Sequence, residues 1–227
     1  MRDVPAEGIR VPGTLAIPAG RIEIREAKSA ARVVEVAAFL IGRTPVTNAE
    51  YAPFLELGGA VEPPWWRDPA FRSPRQPVVG VTWDEAAAFC AWIGRSAGGA
   101  WRLPAETEWE IAMSGGLRSP ATAWGDSIPP GEIPDGPLDG PWETGLGTPN
   151  GFGLLDPGTM VHEWCLDRVE VAEADPAGAP PRPSRRASRG GSWRHRVRWS
   201  APSARSSLPP GYRYSDFGFR VVREMRD

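Results

Sequence analysis

From Pro120 to Gly158 no more than four residues separate one glycine or proline from the next. Proline removes a backbone donor and glycine weakens helices and strands alike, so such a stretch holds no amphipathic helix and no long strand. Residues 117–160 therefore read as irregular chain. That much irregular backbone inside a compact domain is either functional or pinned by ions and side chains. The rest of the sequence must supply the framework. At 227 residues the chain is expected to form one domain, 1–227, with a sizeable core.

That framework reads as α+β. Residues 14–24 alternate in part, with Ile17, Ile22 and Ile24 apolar, and predict an early strand. Residues 33–41 are apolar and β-branched and predict a second. Thr47-Asn48-Ala49-Glu50 has the spacing of a capping box, which opens a helix to about Leu57, stopped by Gly58-Gly59 despite Pro53 inside it. A Pro- and Trp-rich loop follows over 58–80. Thr82-Trp83-Asp84-Glu85 repeats the capping box, and Ala86, Phe89, Cys90 and Ile93 mark one apolar face of a helix to about Ser96. Trp101-Arg102-Leu103-Pro104 leads into a third helix over Glu106–Met113, closed by Gly115-Gly116. Strand patterns return at 161–166, 187–194 and 217–223. A Pro/Ala/Arg loop is expected over 173–186.

The net charge of -2 conceals an asymmetry: residues 182–227 carry 12 arginines against 3 acids, while the remainder holds 14 basic and 25 acidic residues. Either the two parts pair with each other inside the domain, or the arginines form an electropositive pocket for an anionic ligand. The arginines are interleaved with small and apolar residues, which argues against nucleic acid. No stretch approaches a membrane span and the first residues do not begin a signal peptide, so a cytoplasmic protein with no membrane partner is expected. Cys90 and Cys165 show no metal or disulfide spacing and read as buried hydrophobes. Asn48, Gln76 and Asn150 are the only amide side chains.

Chemistry concentrates near the C-terminus. Arg189-Gly190-Gly191-Ser192-Trp193-Arg194-His195 gathers a hydroxyl, an indole and an imidazole. The chain has 2 histidines, and the other lies in Val161-His162-Glu163-Trp164. If the two segments are neighbours, all its histidine meets at one place. On a strand, Arg194, Arg196 and Arg198 would share one face, either solvated or an anion-recognition strip, with His195 on the other. Trp65, Trp66, Trp83 and Trp193 either anchor loops or line a pocket.

Over nearly the whole chain these residues resemble the formylglycine-generating enzyme (sulfatase-modifying factor) family. The matching stretches are Ile17-Pro18-Ala19-Gly20, Pro45-Val46-Thr47-Asn48-Ala49-Glu50-Tyr51 and Pro77-Val78-Val79-Gly80-Val81-Thr82-Trp83. They continue with 101–110, Trp124-Gly125-Asp126, Asn150-Gly151-Phe152-Gly153-Leu154, Glu163-Trp164, Arg189-Gly190-Gly191-Ser192-Trp193 and Gly218-Phe219-Arg220. The resemblance implies a modified C-type-lectin-like fold of short strands, a few helices and long irregular loops. Arg205 and Arg220 match arginines of the family, with a structural role bonding carbonyls or carboxylates.

The departures from that pattern bear on function. Formylglycine generation in the family uses two cysteines after Gly-Gly-Ser, which bind copper(I) as a thiolate pair. Here those positions hold His195 and Ser200, so the copper(I) bis-thiolate site is absent and that reaction is not expected. The family's Gly-Asn-Val-Trp-Glu-Trp becomes Thr159-Met160-Val161-His162-Glu163-Trp164. A thioether at a calcium-ligand position puts that calcium in doubt, although Asn150, Asp156 and Glu163 still offer oxygens. Ser192 matches the serine of the family's oxygen pocket. A histidine on each neighbouring segment, plus a carboxylate, would suit iron(II) or another transition metal with open positions. Glu163 is a poor third ligand, because adjacent strand residues point to opposite faces. His195 could instead simply pair with Glu163 or Asp167.

Two function classes follow. One is a metal-dependent oxidoreductase acting on a small or anionic substrate, with His162, His195 and Ser192 as catalytic candidates and Trp193, Arg194, Arg196, Arg198, Trp199 and Arg205 as substrate contacts. The histidines could equally serve as acid–base groups without a metal. The other class is a non-catalytic module on the same scaffold, such as a retroelement-diversified variable protein, binding a small molecule, peptide or protein.

Overall fold

The computed structural model describes residues 8–24, 32–134, 138–169, 184–195 and 201–225. In chain order the strands and helices are β1 (Thr14–Ile17), β2 (Gly20–Ile24), β3 (Arg32–Val36), β4 (Phe39–Gly42), α1 (Asn48–Gly58), α2 (Trp83–Ala97), β5 (Trp101–Arg102), α3 (Glu106–Met113), β6 (His162–Val169), β7 (Arg185–Arg189), β8 (Arg205–Leu208), β9 (Phe217–Gly218) and β10 (Val222–Arg223). The expected α+β class of short strands, few helices and long loops is what forms.

Local chemistry explains the helices. Thr47 and Thr82 each accept the amide three residues on, and Glu50 and Glu85 reach back to the cap amides. Both capping boxes thus satisfy donors that a helix start leaves orphaned. Helix α1 runs through Pro53 and ends at Gly59, whose φ of 68° is left-handed.

Three sheets form: β1-β4-β10-β5, the pair β2-β3, and β8-β7-β6-β9. The strands expected at 14–24 and 33–41 are each split in two. Ile17 pairs with Phe39 and Gly20 with Val36, so the register is continuous across the gap. Pro18 has no N–H to give, and the ladder opens there. The expected strand 187–194 ends at Arg189, because Gly190 turns at φ 76°. An added Cβ there would meet the Trp109 ring at 3.1 Å and Gly158 Cα at 3.0 Å. The expected strand 217–223 is two two-residue strands in different sheets, β9 and β10, and β8 had no forecast. The loop expected at 173–186 enters β7 at Arg185; its part 173–183 lies outside the described residues.

One interaction joins the sheets. Arg220, wholly buried, sends Nε to both oxygens of Glu163 at 3.0 Å. Its other nitrogens reach the carbonyls of Gly42, Arg43, Leu155 and Asp156. Every donor of the guanidinium is used. Trp109 Nε1 donates to Glu163 Oε2 at 2.7 Å, tying α3 to the same carboxylate. This matches the structural role implied for Arg220.

The irregular segment is pinned by side chains. Asn150 donates to the Ala112 and Met113 carbonyls and accepts from the Phe152 and Leu154 amides. Gln76 donates to the Ala70 and Pro141 carbonyls. Asn48 donates to the Phe71 and Ser73 carbonyls. The chain's three amides are thus all loop staples. Part of the charge asymmetry is internal pairing: Arg189 with Glu106 and Glu110, Arg205 with Glu106, Arg213 with Glu85, Arg220 with Glu163. No helix among the described residues is long and apolar enough to cross a membrane.

Removing one member of the central pair strands a buried charge, which costs about 3–5 kcal/mol. Glu163→Ala should therefore lower the urea midpoint by that equivalent. A loss under about 1 kcal/mol would show that Arg220 does not depend on Glu163.

Candidate functional site

The two histidines meet. β6 places His162 at its first position, and β9 runs parallel to it with Phe217 opposite His162. Beyond β7 the chain turns at Gly190, and the His195 amide closes a further turn onto the Ser192 carbonyl at 2.9 Å. The His162 and His195 ring centroids lie 5.1 Å apart, tilted by 59°. Asp216, just before β9, completes the group: one ligand atom from each of His162, His195 and Asp216 lies within 4.8 Å of the others. Among the described residues this is the group of histidine, cysteine and acid side chains arranged to share a metal.

The hydrogen bonds around this triad orient it. His162 Nδ1 lies 2.7 Å from the Gly190 carbonyl. A carbonyl only accepts, so Nδ1 carries the proton and Nε2 keeps its lone pair. Ser192 Oγ donates to Asp216 Oδ2 at 2.8 Å. His195 Nε2 stands 3.9 Å from the same oxygen, with a side chain 45% exposed. Metal bonds of about 2.0–2.2 Å would require slightly shorter spans than 4.8 Å, and the half-exposed His195 ring is the member free to close them. Trp193 is fixed by its amide to the Met160 carbonyl and its indole to the Ser215 carbonyl. Arg194 lies over the Trp193 ring at 5.1 Å and is exposed.

Electrostatics keep His162 neutral. Burial pushes its pKa below the ordinary 6.5 and the His195 ring adds to that, against the raising pull of Asp216 and of the Gly190 carbonyl.

Other expected site residues fall elsewhere. Glu163 faces away from His162, as strand parity requires, and is spent on Arg220 and Trp109. Neither it nor Asp167, which accepts the Glu106 amide, pairs with His195. Asp216 takes that place. Sequence reasoning passed over it; the one available signal was an acid two residues before Gly218-Phe219-Arg220. The two polar atoms of the Asn150 amide make four hydrogen bonds, and both Glu163 oxygens accept from protein donors. Asp156 Oδ1 alone is left buried without a partner, while its Oδ2 accepts the Gly145 amide. Arg205 binds Glu106 through two bonds of 2.7 Å, in a cluster with Glu110 and Arg189 rather than beside the histidines. Arg194 sits in a turn, not on a strand, so the expected alternating row does not begin there. Arg196, Arg198, Trp199 and Ser200 lie outside the described residues.

A copper(I) thiolate pair does not fit this chain. Cys90 and Cys165 are buried in different core clusters, and burial pushes both thiols well above their usual pKa. Trp83 ties the start of α2 to β6 by donating its indole N–H to the Cys165 carbonyl, and carries the Arg186 guanidinium 3.6 Å from its ring centre. Trp65 packs beside Phe71, and Trp66 against the core around Tyr51.

Comparison with known proteins agrees with this architecture. The family model of the sulfatase-modifying factor enzyme 1-like domain matches residues 2–225. A formylglycine-generating enzyme of Streptomyces coelicolor is 32% identical over 262 residues, covering 84% of this chain and 80% of the relative. A hercynine oxygenase of Mycolicibacterium thermoresistibile is 37% identical over 133 residues, but this covers only 44% of this chain and 28% of the relative. Among solved structures, Treponema denticola variable protein 1 superposes with a TM-score of 0.74 at 24% identity, covering 93% of this chain and 95% of that one.

Histidine titration tests the electrostatics. A pKa lowered on folding means that the unfolded chain binds more protons just below 6.5. His162 therefore contributes stability above that pH and loses it as pH falls toward its folded value. In chelator-treated protein, His162→Phe should flatten the loss of stability below 6.5. An unchanged slope, or an NMR titration of His162 above 6.5, would contradict the assignment.

Proposed function

The chain belongs to the sulfatase-modifying factor enzyme 1-like family, and we propose that it is a metal-dependent oxidoreductase of that family, centred on His162, His195 and Asp216. The observation that carries this reading is the convergence of both histidines on one buried carboxylate, with His162 Nδ1 bonded to Gly190. Two imidazoles and a carboxylate suit iron(II), with coordination positions left open, better than they suit copper(I). Iron held there would supply one-electron chemistry toward dioxygen.

The chain's own residues would do the rest. The Gly190 carbonyl holds His162 in the tautomer that presents Nε2. Ser192 fixes one oxygen of Asp216, a supporting role that ligands of this kind depend on. His195 lies at the solvent side, where substrate would arrive. Arg194, braced on Trp193, would meet a small or anionic substrate there. The partial match to a hercynine oxygenase supports an oxidative role for this branch of the family. The missing thiolate pair argues that formylglycine generation is not its reaction.

The second reading is a ligand-binding module without catalysis, for a small molecule, peptide or protein. The likeness to a variable protein is one of fold.

Metal analysis separates the two readings. Protein purified without chelators and reconstituted anaerobically with iron(II) should hold about one ion per chain. His195→Ala and Asp216→Ala should each lose most of it, because ligand loss costs at least as much as the roughly 10–100-fold seen for supporting residues. Equal metal in wild type and variants, or none in the wild type, would leave the binding module standing.

A further inference from the structure

The tautomer of His162 depends on a single peptide group. The carbonyl that receives Nδ1 at 2.7 Å belongs to Gly190. The other end of the same amide is the Gly191 N–H, which donates to the Gly158 carbonyl at 2.9 Å. The amide is trans, hence planar, and points its N–H and C=O in opposite directions. The bond to Gly158 therefore aims the Gly190 oxygen. It also polarises the amide, which strengthens that oxygen as an acceptor for the imidazole N–H.

Gly158 and Gly190 in turn rest on Trp109, a wholly buried residue of α3. A Cβ on Gly190 would lie 3.1 Å from Trp109 Cζ2 and 3.0 Å from Gly158 Cα. One on Gly158 would lie 3.0 Å from Trp109 Cη2 and 3.5 Å from Gly190 Cα. The benzene part of the indole and two bare backbones are thus in mutual contact, with no side chain between them to absorb a shift. Packing this dense transmits a displacement instead of damping it. The indole N–H is held on Glu163 Oε2 at 2.7 Å, which fixes the orientation of the ring. Glu163 faces away from His162, so Trp109 acts on the imidazole through the peptide and not by touching it.

We propose that Trp109 is a positioning residue for His162. Its ring seats Gly158 and Gly190, and the Gly190–Gly191 peptide then holds the imidazole in the Nδ1–H tautomer with Nε2 left as the donor atom. Outer partners of this kind set both the orientation and the basicity of a ligating ring. The consequence for metal affinity rests on the metal reading above; the tautomer itself does not.

The chain has 2 histidines, so long-range proton–nitrogen NMR on isotope-labelled, metal-free protein reads each ring nitrogen, and His195→Gln assigns the two rings. His162 in the wild type should be a single Nδ1–H tautomer. Two variants approach the contact from opposite sides. Gly158→Ala crowds the ring, and Trp109→Phe removes the part of it that touches the glycines. Each should convert His162 to a mixture with a substantial Nε2–H share, the form that free histidine prefers. Gly158→Ala leaves the Trp109–Glu163 bond in place, so a shared result excludes the ion pair as the cause; should that variant fail to fold, Trp109→Phe decides. Trp92→Phe, at a buried indole of α2 in another core cluster, should lower the melting temperature and leave the tautomer single. In reconstituted protein, Trp109→Phe should weaken iron(II) binding about 10–100-fold at unchanged stoichiometry. A lowered melting temperature with His162 still wholly Nδ1–H in Trp109→Phe would overturn the proposal. A wild type that holds no iron, with the tautomers shifting as stated, would remove the metal reading and leave the positioning role standing.

Discussion

The Glu163–Arg220 pair sits where four otherwise separate parts of the chain meet. Glu163 belongs to β6, Arg220 links β9 to β10, and the carbonyls it bonds come from the end of β4 and from the Gly/Pro-rich segment. Trp109 adds α3. A buried ion pair contributes little net stability compared with apolar packing, because desolvation offsets the attraction. Its value here is geometric. The guanidinium has five donors in a fixed plane: Nε takes the Glu163 carboxylate, and the other four take two adjacent carbonyls at the end of β4 and two in the Gly/Pro-rich segment. Two-residue strands such as β9 and β10 could not hold their register alone, and this side chain sets it for them.

Much of the framework could be read directly from residues. Thr47–Glu50 and Thr82–Glu85 announce their helices because capping is a local interaction over three residues. The opposed charges of the two parts left internal pairing and an electropositive pocket both open, and four of the arginines pair internally. Contacts that depend on distant chain were harder. Pro18 interrupting one long hairpin was visible as a residue but not as a break, since the pairing continues in register beyond it. The strand β8 carries Arg205-Ser206-Ser207-Leu208, which has no alternating apolar pattern to betray it. Asp216 reaches His162 only through a parallel pairing between segments some fifty residues apart, and no local spacing encodes that.

The candidate site shows the same division. The replacement of thiols by imidazole at His195 was legible, as was the parity that turns Glu163 away. The third member was not. Its position follows from Ser192, which holds Asp216 in place while its own carbonyl closes the turn that carries His195. One serine thus fixes the relation of two of the three groups. Two of the expected calcium oxygens, those of Asn150 and Glu163, lie in residues that also fasten the loops.

Consider finally the parity of β6. At its start, Glu163 looks toward the lock around Arg220 and His162 toward the triad. A substitution at 162 therefore touches the triad and not the ion pair that joins the sheets, and the reverse holds at 163. Adjacent positions along the chain carry separate evolutionary liabilities. A scaffold divided in this way can exchange one set of reactive groups for another while its architecture persists, which is how a chain stripped of both reactive thiols can remain so recognisably a member of its lineage.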